Sequence, residues 1–191
     1  MKLERRPAMA TLLAGRGNDL LLVPGLGSTT WDAMAAGDSD LNFYLWGAMG
    51  GATMIGLGLA LAQPNRRVAV ITGDGEMLMG LGSLATIGIQ RPPNLAVIVF
   101  DNGVYGETGM QPSHTQSGVD LVGVAKACGI ETCLDVRDAD ALADLARRLN
   151  GLNYTLFARV LIAADEPPRV LPLRDGVALK DRFRAAIGIK P

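Results

Sequence analysis

At 191 residues, 49% of them apolar, the chain is long enough for one substantial core without disulfides or a structural metal. A net charge of −1 excludes a general electrostatic grip on nucleic acid or acidic lipid, so any ligand must be held locally. Cys128 and Cys133 lie in "CGIETC", which is neither a redox CxxC pair nor, with one histidine in the chain, a four-ligand zinc set; both are expected as buried thiols.

Residues 1–23 begin charged, but Arg16, Asn18 and Asp19 break their apolar part, unlike the core of a secretory signal, and a cytoplasmic protein is expected. A helix is expected over 7–15 and a strand at "DLLLV", 19–23, followed by the glycine-bearing turn "PGLGSTT", 24–30. Residues 45–62 carry no charge and reach the roughly 18 residues of a membrane-spanning helix. Five of them are glycine, however, and "GAMGG" reads as a turn, which leaves 50–62 as a buried helix of ordinary length.

The run "RVAVIT" (67–72) is a second expected strand and "LAVIVF" (95–100) a third, with a helix over 79–89 between them. Both strands lack polar alternation, as central strands covered on two faces do. Further helices are expected over 119–128, 138–149 and 176–187, and strands over 131–136 and 155–163. In "DADALADLARRL" the acids come first and Arg147 and Arg148 last, with Asp138 or Asp140 available as a cap. Residues 164–175 hold three prolines and read as a linker before the last helix. Strands alternating with helices predict a doubly wound, mostly parallel α/β sheet with helices on both faces, formed by residues 1–163, with 164–191 as an extension of that domain or packed on a partner.

In such a sheet, ligands bind beyond the C-terminal strand ends. Three glycine-bearing segments fall there: residues 24–30, "TGDGEM" (72–77) and "DNGVYG" (101–106). Asp74, between Gly73 and Gly75, could present a carboxylate oxygen to Mg²⁺ while neighbouring N–H groups face a diphosphate. Asn102 at the next strand end, with a main-chain carbonyl of its turn, would complete an oxygen set. The same glycines equally serve a bare strand-to-helix turn; the matching Asn102-Gly103 is what favours the metal.

Gly73-Asp74-Gly75, then 26 residues, then Asn102, resembles the thiamine diphosphate motif of 2-oxo acid decarboxylases and acetolactate synthases. The resemblance extends over most of residues 8–163 and is greatest to the β subunits of sulfopyruvate and phosphonopyruvate decarboxylases, through "FYLWGAMG", "GDGEMLMGLGSLATI" and "DNGVYGETGMQPS". It implies thiamine diphosphate and Mg²⁺ as cofactors, with Asp74, Asn102 and the carbonyl of Val104 as metal ligands. It further implies that the Gly47 carbonyl meets the aminopyrimidine and that Met49 wedges the cofactor into a bent form, a task distinct from ordinary core filling. Gly27 and Ser28 match a turn near the diphosphate or pyrimidine. Ala48, Gly73, Gly75, Glu76, Met77, Tyr105 and Gly106 complete the implied cofactor-binding set. Asp101 stands where many relatives have Asn, and Glu76 where Ser is frequent; an acid beside a diphosphate must turn away, so only the Glu76 backbone N–H is assigned to the cofactor. Glu107 and Thr108 fall where they could line the substrate face, whereas His114 reads as a solvated loop residue.

The resemblance also implies what this stretch lacks. The glutamate that bonds the pyrimidine lies on a separate domain, so an α-type partner subunit supplying it is expected, within a hetero-oligomer or an oligomer of such diphosphate-binding domains. The implied reaction is decarboxylation of an anionic 2-oxo acid to an aldehyde and CO₂; carboligation of the acetolactate synthase type is the alternative. From other classes, a nucleotide-binding oxidoreductase would need a GxGxxG turn after a strand, and a membrane or scaffold protein would rest on residues 45–62.

Overall fold

The computed structural model describes residues 2–189. Five parallel strands form one sheet: β1 (Leu20–Pro24), β2 (Arg67–Gly73), β3 (Leu95–Asp101), β6 (Thr132–Val136) and β7 (Leu156–Leu161), in the order β1-β2-β3-β7-β6. A two-stranded hairpin, β4 (Val104–Tyr105) with β5 (Gln111–Pro112), stands apart from it. The helices are α1 (Arg5–Leu13), α2 (Ser28–Ala35), α3 (Ala52–Ala62), α4 (Asp74–Met79), α5 (Ser83–Gln90), α6 (Leu121–Ala127), α7 (Ala139–Asn150) and α8 (Gly176–Ala186).

Successive residues of each central strand face opposite layers. Leu20, Leu22, Ala69, Ile71, Ala96 and Ile98 join a core with residues of α1 and α7. Leu21, Val23, Val68, Val70, Val97 and Val99 join a second core with residues of α3, α5 and α6. Burial on both faces is why these strands read as unbroken apolar runs.

The glycines of residues 45–62 have a packing role rather than a membrane one. A Cβ on Gly56 would overlap Val70 Cγ2, so α3 lies close against β2. Among the described residues no helix is long and apolar enough to cross a membrane. Asp138 is the cap of α7, accepting from the Ala141 N–H at 2.9 Å.

Three expectations need correction. The predicted helix over 79–89 is broken at Gly80–Gly82, where Gly80 approaches Gly50 so closely that a Cβ would lie 3.1 Å from the Gly50 carbonyl carbon. Helix α2 and the β4–β5 hairpin were not anticipated, being short and polar. Cys128 and Cys133 are half-buried rather than buried, on the α6 terminus and the sheet-edge strand β6, with the Cys133 thiol donating to the Ile130 carbonyl at 3.2 Å.

Residues 164–175 carry no helix or strand and lie along the body as a strap. Trp46 Nε1 donates to the Leu173 carbonyl at 2.9 Å, and Arg6 Nη2 to the Pro168 carbonyl at 2.7 Å. The N-terminal segment runs beside it: Leu3 bridges Ile162, and the Ala163 N–H donates to the Leu3 carbonyl at 2.8 Å.

Candidate active site

The strand register aligns Pro24 with Ile71 and Gly73 with Phe100, so β1, β2 and β3 end together. The three glycine-bearing segments therefore meet at one edge, around a cleft of about 420 Å³. Ser28, Met49, Gly73, Asp74, Gly75 and Glu76 line it from one side; Asn102, Val104, Tyr105 and Gly106 line it from the other.

Asp74 opens α4 directly from the strand end and is 2% exposed. Its Oδ2 accepts from Ser113 Oγ, and Thr115 Oγ1 lies 3.2 Å from the same oxygen. Burial raises its pKa above the ordinary carboxylate value; the Ser113 hydroxyl opposes that shift and the nearby charge of Asp101 adds to it. It is a buried carboxylate short of positive charge. Asn102 closes a small turn, its Oδ1 accepting from the Val104 N–H at 3.0 Å, and Gly103 there has φ +79°. A Cβ at Gly75 would press into the Tyr105 ring, so glycine lets the two strand-end turns approach closely.

Glu76 lines the cleft but is turned toward the β1–α2 turn. It is 4% exposed, its Oε2 accepts from the Leu26 N–H at 3.1 Å, and its Oε1 has no hydrogen-bond partner among the described residues. Burial raises its pKa, opposed by Thr72 and by backbone donors including Leu26. Gly25 makes room for it. Met49 is 41% exposed at the cleft wall, between Ala48 at φ +60° and Gly50 at φ +91°.

Four expected residues do not line this cleft with their side chains. Gly27 is the α2 cap position, with φ +79°, and packs against Glu107. Gly47 and Ala48 line a neighbouring depression with Trp46, Arg174 and Leu179. Met77 is 1% exposed in the core, its sulfur 3.8 Å from Thr53 Oγ1, so its backbone alone can face a ligand. His114 is solvent-exposed, as expected.

Arg5, Trp31, Asp165 and Arg169 also line the cleft and went unsingled in the sequence; Glu107 and Thr108, named there, line it too. Arg5 pairs with Asp32 at 3.4 Å and Asp165 at 3.6 Å. Glu107 accepts from Trp31 Nε1 at 3.1 Å and from Arg169 Nη2 at 3.0 Å, and the Arg169 guanidinium lies 5.7 Å from the Trp31 ring centre. The two tryptophans of the chain, each under an arginine of the strap, were the available signal.

The donors suit a hard cation. Asp74 and Asn102 bring a carboxylate and an amide to the cleft lining, and no described cleft residue offers a thiol or imidazole. Among the described residues no group of three His, Cys, Asp or Glu side chains forms a metal centre, so such a cation would lean on Asp74 together with neutral oxygens.

A parallel doubly wound sheet with an acidic cleft at its C-terminal strand ends defines the class, and the comparisons define the family. The chain belongs to the thiamine pyrophosphate enzymes, whose C-terminal TPP binding domain matches residues 27–152. It is 45% identical over 143 residues to a phosphonopyruvate decarboxylase of Streptomyces viridochromogenes, covering 73% of this chain and 36% of that protein. It is 43% identical over 116 residues to a sulfopyruvate decarboxylase subunit beta of Methanocaldococcus jannaschii, covering 61% of each. The benzoylformate decarboxylase of Polynucleobacter necessarius has the same fold, with a TM-score of 0.71 at 22% identity over 88% of this chain and 34% of that one.

Proposed function

We propose that this chain is the diphosphate- and Mg²⁺-binding part of a thiamine diphosphate-dependent decarboxylase acting on an anionic 2-oxo acid of the sulfopyruvate or phosphonopyruvate kind. Residues 1–163 would form the cofactor domain and 164–191 its extension. The observation that carries the reading is the meeting of Asp74 and the Asn102–Val104 turn at adjacent strand ends of one cleft. The names of the relatives support the substrate class, and the subunit naming of the methanogen protein supports a partner.

In this reading Asp74, Asn102 and the Val104 carbonyl hold Mg²⁺, and the N–H groups of Gly75 and Glu76 face the diphosphate. Ser28, Tyr105 and Gly106 border the cofactor, and Met49 fixes its bend. Bound thiamine diphosphate would serve as the electron sink for the bond that releases CO₂. The chain's own residues hold and orient it. Glu76, bonded to Leu26, keeps its carboxylate off the anion. Both cleft guanidiniums are already paired, Arg5 with Asp32 and Asp165 and Arg169 with Glu107, so the cation reading the substrate's acidic tail falls to the partner, together with the missing glutamate.

Native purification with thiamine diphosphate and Mg²⁺, mass spectrometry of stoichiometric companions, and assay of the assembly on 2-oxo acids test this reading. A pyrimidine-domain companion with aldehyde and CO₂ formation is expected. Acetolactate formation without aldehyde would replace decarboxylation by carboligation, and absence of cofactor binding by the assembly would overturn the reading.

A further inference from the structure

We propose that Ser113 and Thr115 are positioning residues that lock the two halves of the cation site together, an inference that rests on the assignment of Asp74 and Asn102 as metal ligands. The site is drawn from two separate strand ends. Asp74 follows β2, and the Asn102 turn follows β3. No covalent feature fixes their separation, and Asp74 and Asp101 are each 2% exposed, with Asp101 facing Arg159 at 3.7 Å.

The loop after β5 supplies the tie. Ser113 is 1% exposed, and its hydroxyl donates to Asp74 Oδ2. Thr115 Oγ1 lies 2.9 Å from Ser113 Oγ, 3.2 Å from Asp74 Oδ2 and 2.8 Å from Asp101 Oδ1. Two hydroxyl protons meet two carboxylates: Ser113 donates to Asp74 and Thr115 to Asp101. The chain of bonds continues into the ligand turn, because Asp101 Oδ1 also accepts from the Gly103 N–H at 3.0 Å. The Ser113 N–H closes the circuit by donating to the Gly103 carbonyl at 2.8 Å. Asp74 and the turn holding Asn102 are thus bridged by hydrogen bonds within one network, buried at Ser113 and part-buried at Thr115.

The network has the right polarity for this task. The hydroxyls are neutral donors, so they orient Asp74 without supplying the positive charge it lacks. They occupy Oδ2, and no described side chain donates to Oδ1, which stays available to a cation. Outer hydrogen bonds to metal-ligating carboxylates orient them, and their loss typically lowers metal affinity about 10–100-fold. Asp101 gains a role as well: it accepts from both the turn and the loop.

The test is titration of Mg²⁺ into the purified chain, with its partner if one copurifies and with thiamine diphosphate present, by calorimetry and by the Mg²⁺ concentration giving half-maximal thermal stabilisation. Wild type, Ser113→Ala, Ser113→Thr, Thr115→Val and Asp74→Asn are compared. Asp74→Asn reports on the site assignment itself and is expected to abolish Mg²⁺ binding; if it binds as wild type does, the underlying assignment fails. With that control lost, Ser113→Ala and Thr115→Val are expected to weaken Mg²⁺ by about 10–100-fold, with Ser113→Thr restoring it to within about threefold. Affinities of Ser113→Ala and Thr115→Val equal to or tighter than wild type, while Asp74→Asn is dead, would overturn the positioning role. So would equal loss in Ser113→Thr, which would show a packing requirement. If Ser113→Ala does not fold, the isosteric Thr115→Val decides by the same readout.

Discussion

Gly25→Ala tests how the Glu76 carboxylate is held toward the β1–α2 turn. A methyl group at Gly25 would stand 2.9 Å from Glu76 Cδ, 3.2 Å from Thr72 Oγ1, and nearer still to Glu76 Oε2. Carbon atoms pack best at about 3.5–4.0 Å, so the carboxylate must retreat by an ångström or more. That retreat breaks its 3.1 Å bond to the Leu26 N–H. A hydrogen bond to a charged group contributes about 1.5–3 kcal/mol and overpacking adds about 1–3, so a loss of about 2.5–6 kcal/mol is expected. For a domain of this size that is a fall in Tm of about 5–24 °C. Urea unfolding of wild type, Gly25→Ala, Glu76→Ala and the double variant measures it, with unchanged m values confirming a like-for-like comparison. On the Glu76→Ala background the added methyl enters space the carboxylate has vacated, and most of the penalty should vanish. An equal penalty on both backgrounds, or none on either, would refute the steric reasoning.

Met49→Ala should slow turnover of the assembled enzyme more than tenfold while leaving the affinity for thiamine diphosphate within about threefold, because a half-exposed wall residue shapes the ligand without gripping it; parallel losses in kinetics and calorimetry would reduce Met49 to packing. Asp38 has its pKa lowered: burial would raise it, but hydrogen bonds from Arg182, Tyr44 and Ser39 outweigh that. Its stabilisation is therefore present above the ordinary value of 3.8 and disappears as pH falls through the lower folded value, so Asp38→Asn should be less stable than wild type at neutral pH, with the gap closing in acid melts below that value. Gly88→Ala puts a methyl 2.8 Å from the Cys128 carbonyl carbon and closer to its oxygen, backbone against helix backbone, and should cost at least about 3 kcal/mol; a Tm within 2 °C of wild type would contradict the close α5–α6 packing.

The sequence made the sheet legible because β2 and β3 are apolar on both faces, a pattern that length and flanking glycines separate from a helix. Asp74 and Asn102 were legible for the same reason, as polar residues at the ends of such runs. Helix α2 was hidden by its composition: Thr29, Thr30 and Asp32 are polar yet buried, the threonine hydroxyls donating to the Gly25 carbonyl and Asp32 facing Arg5 and Arg6. Ser113 and Thr115 were hidden because their partners, Asp74 and Asp101, lie 39 and 14 residues away, a separation no local pattern encodes. The strap misled for a physical reason too. Prolines forbid regular hydrogen bonding but not docking, and residues 165–169 line the cleft through arginine, acid and ring contacts instead.

The bond from Arg6 to the Pro168 carbonyl joins positions 162 residues apart, and the Arg5 pair with Asp165 spans nearly as many. During synthesis β1, β2 and β3 can pair as they emerge and β6 must wait for β7, and this side of the cleft mouth has no second wall until the strap follows. Loop closure over such a span adds little to the entropic penalty but must wait for almost every other contact. The pocket is therefore completed after the strands that support it, and a released chain ending before residue 165 would keep all five strands yet leave one side of the cleft mouth open.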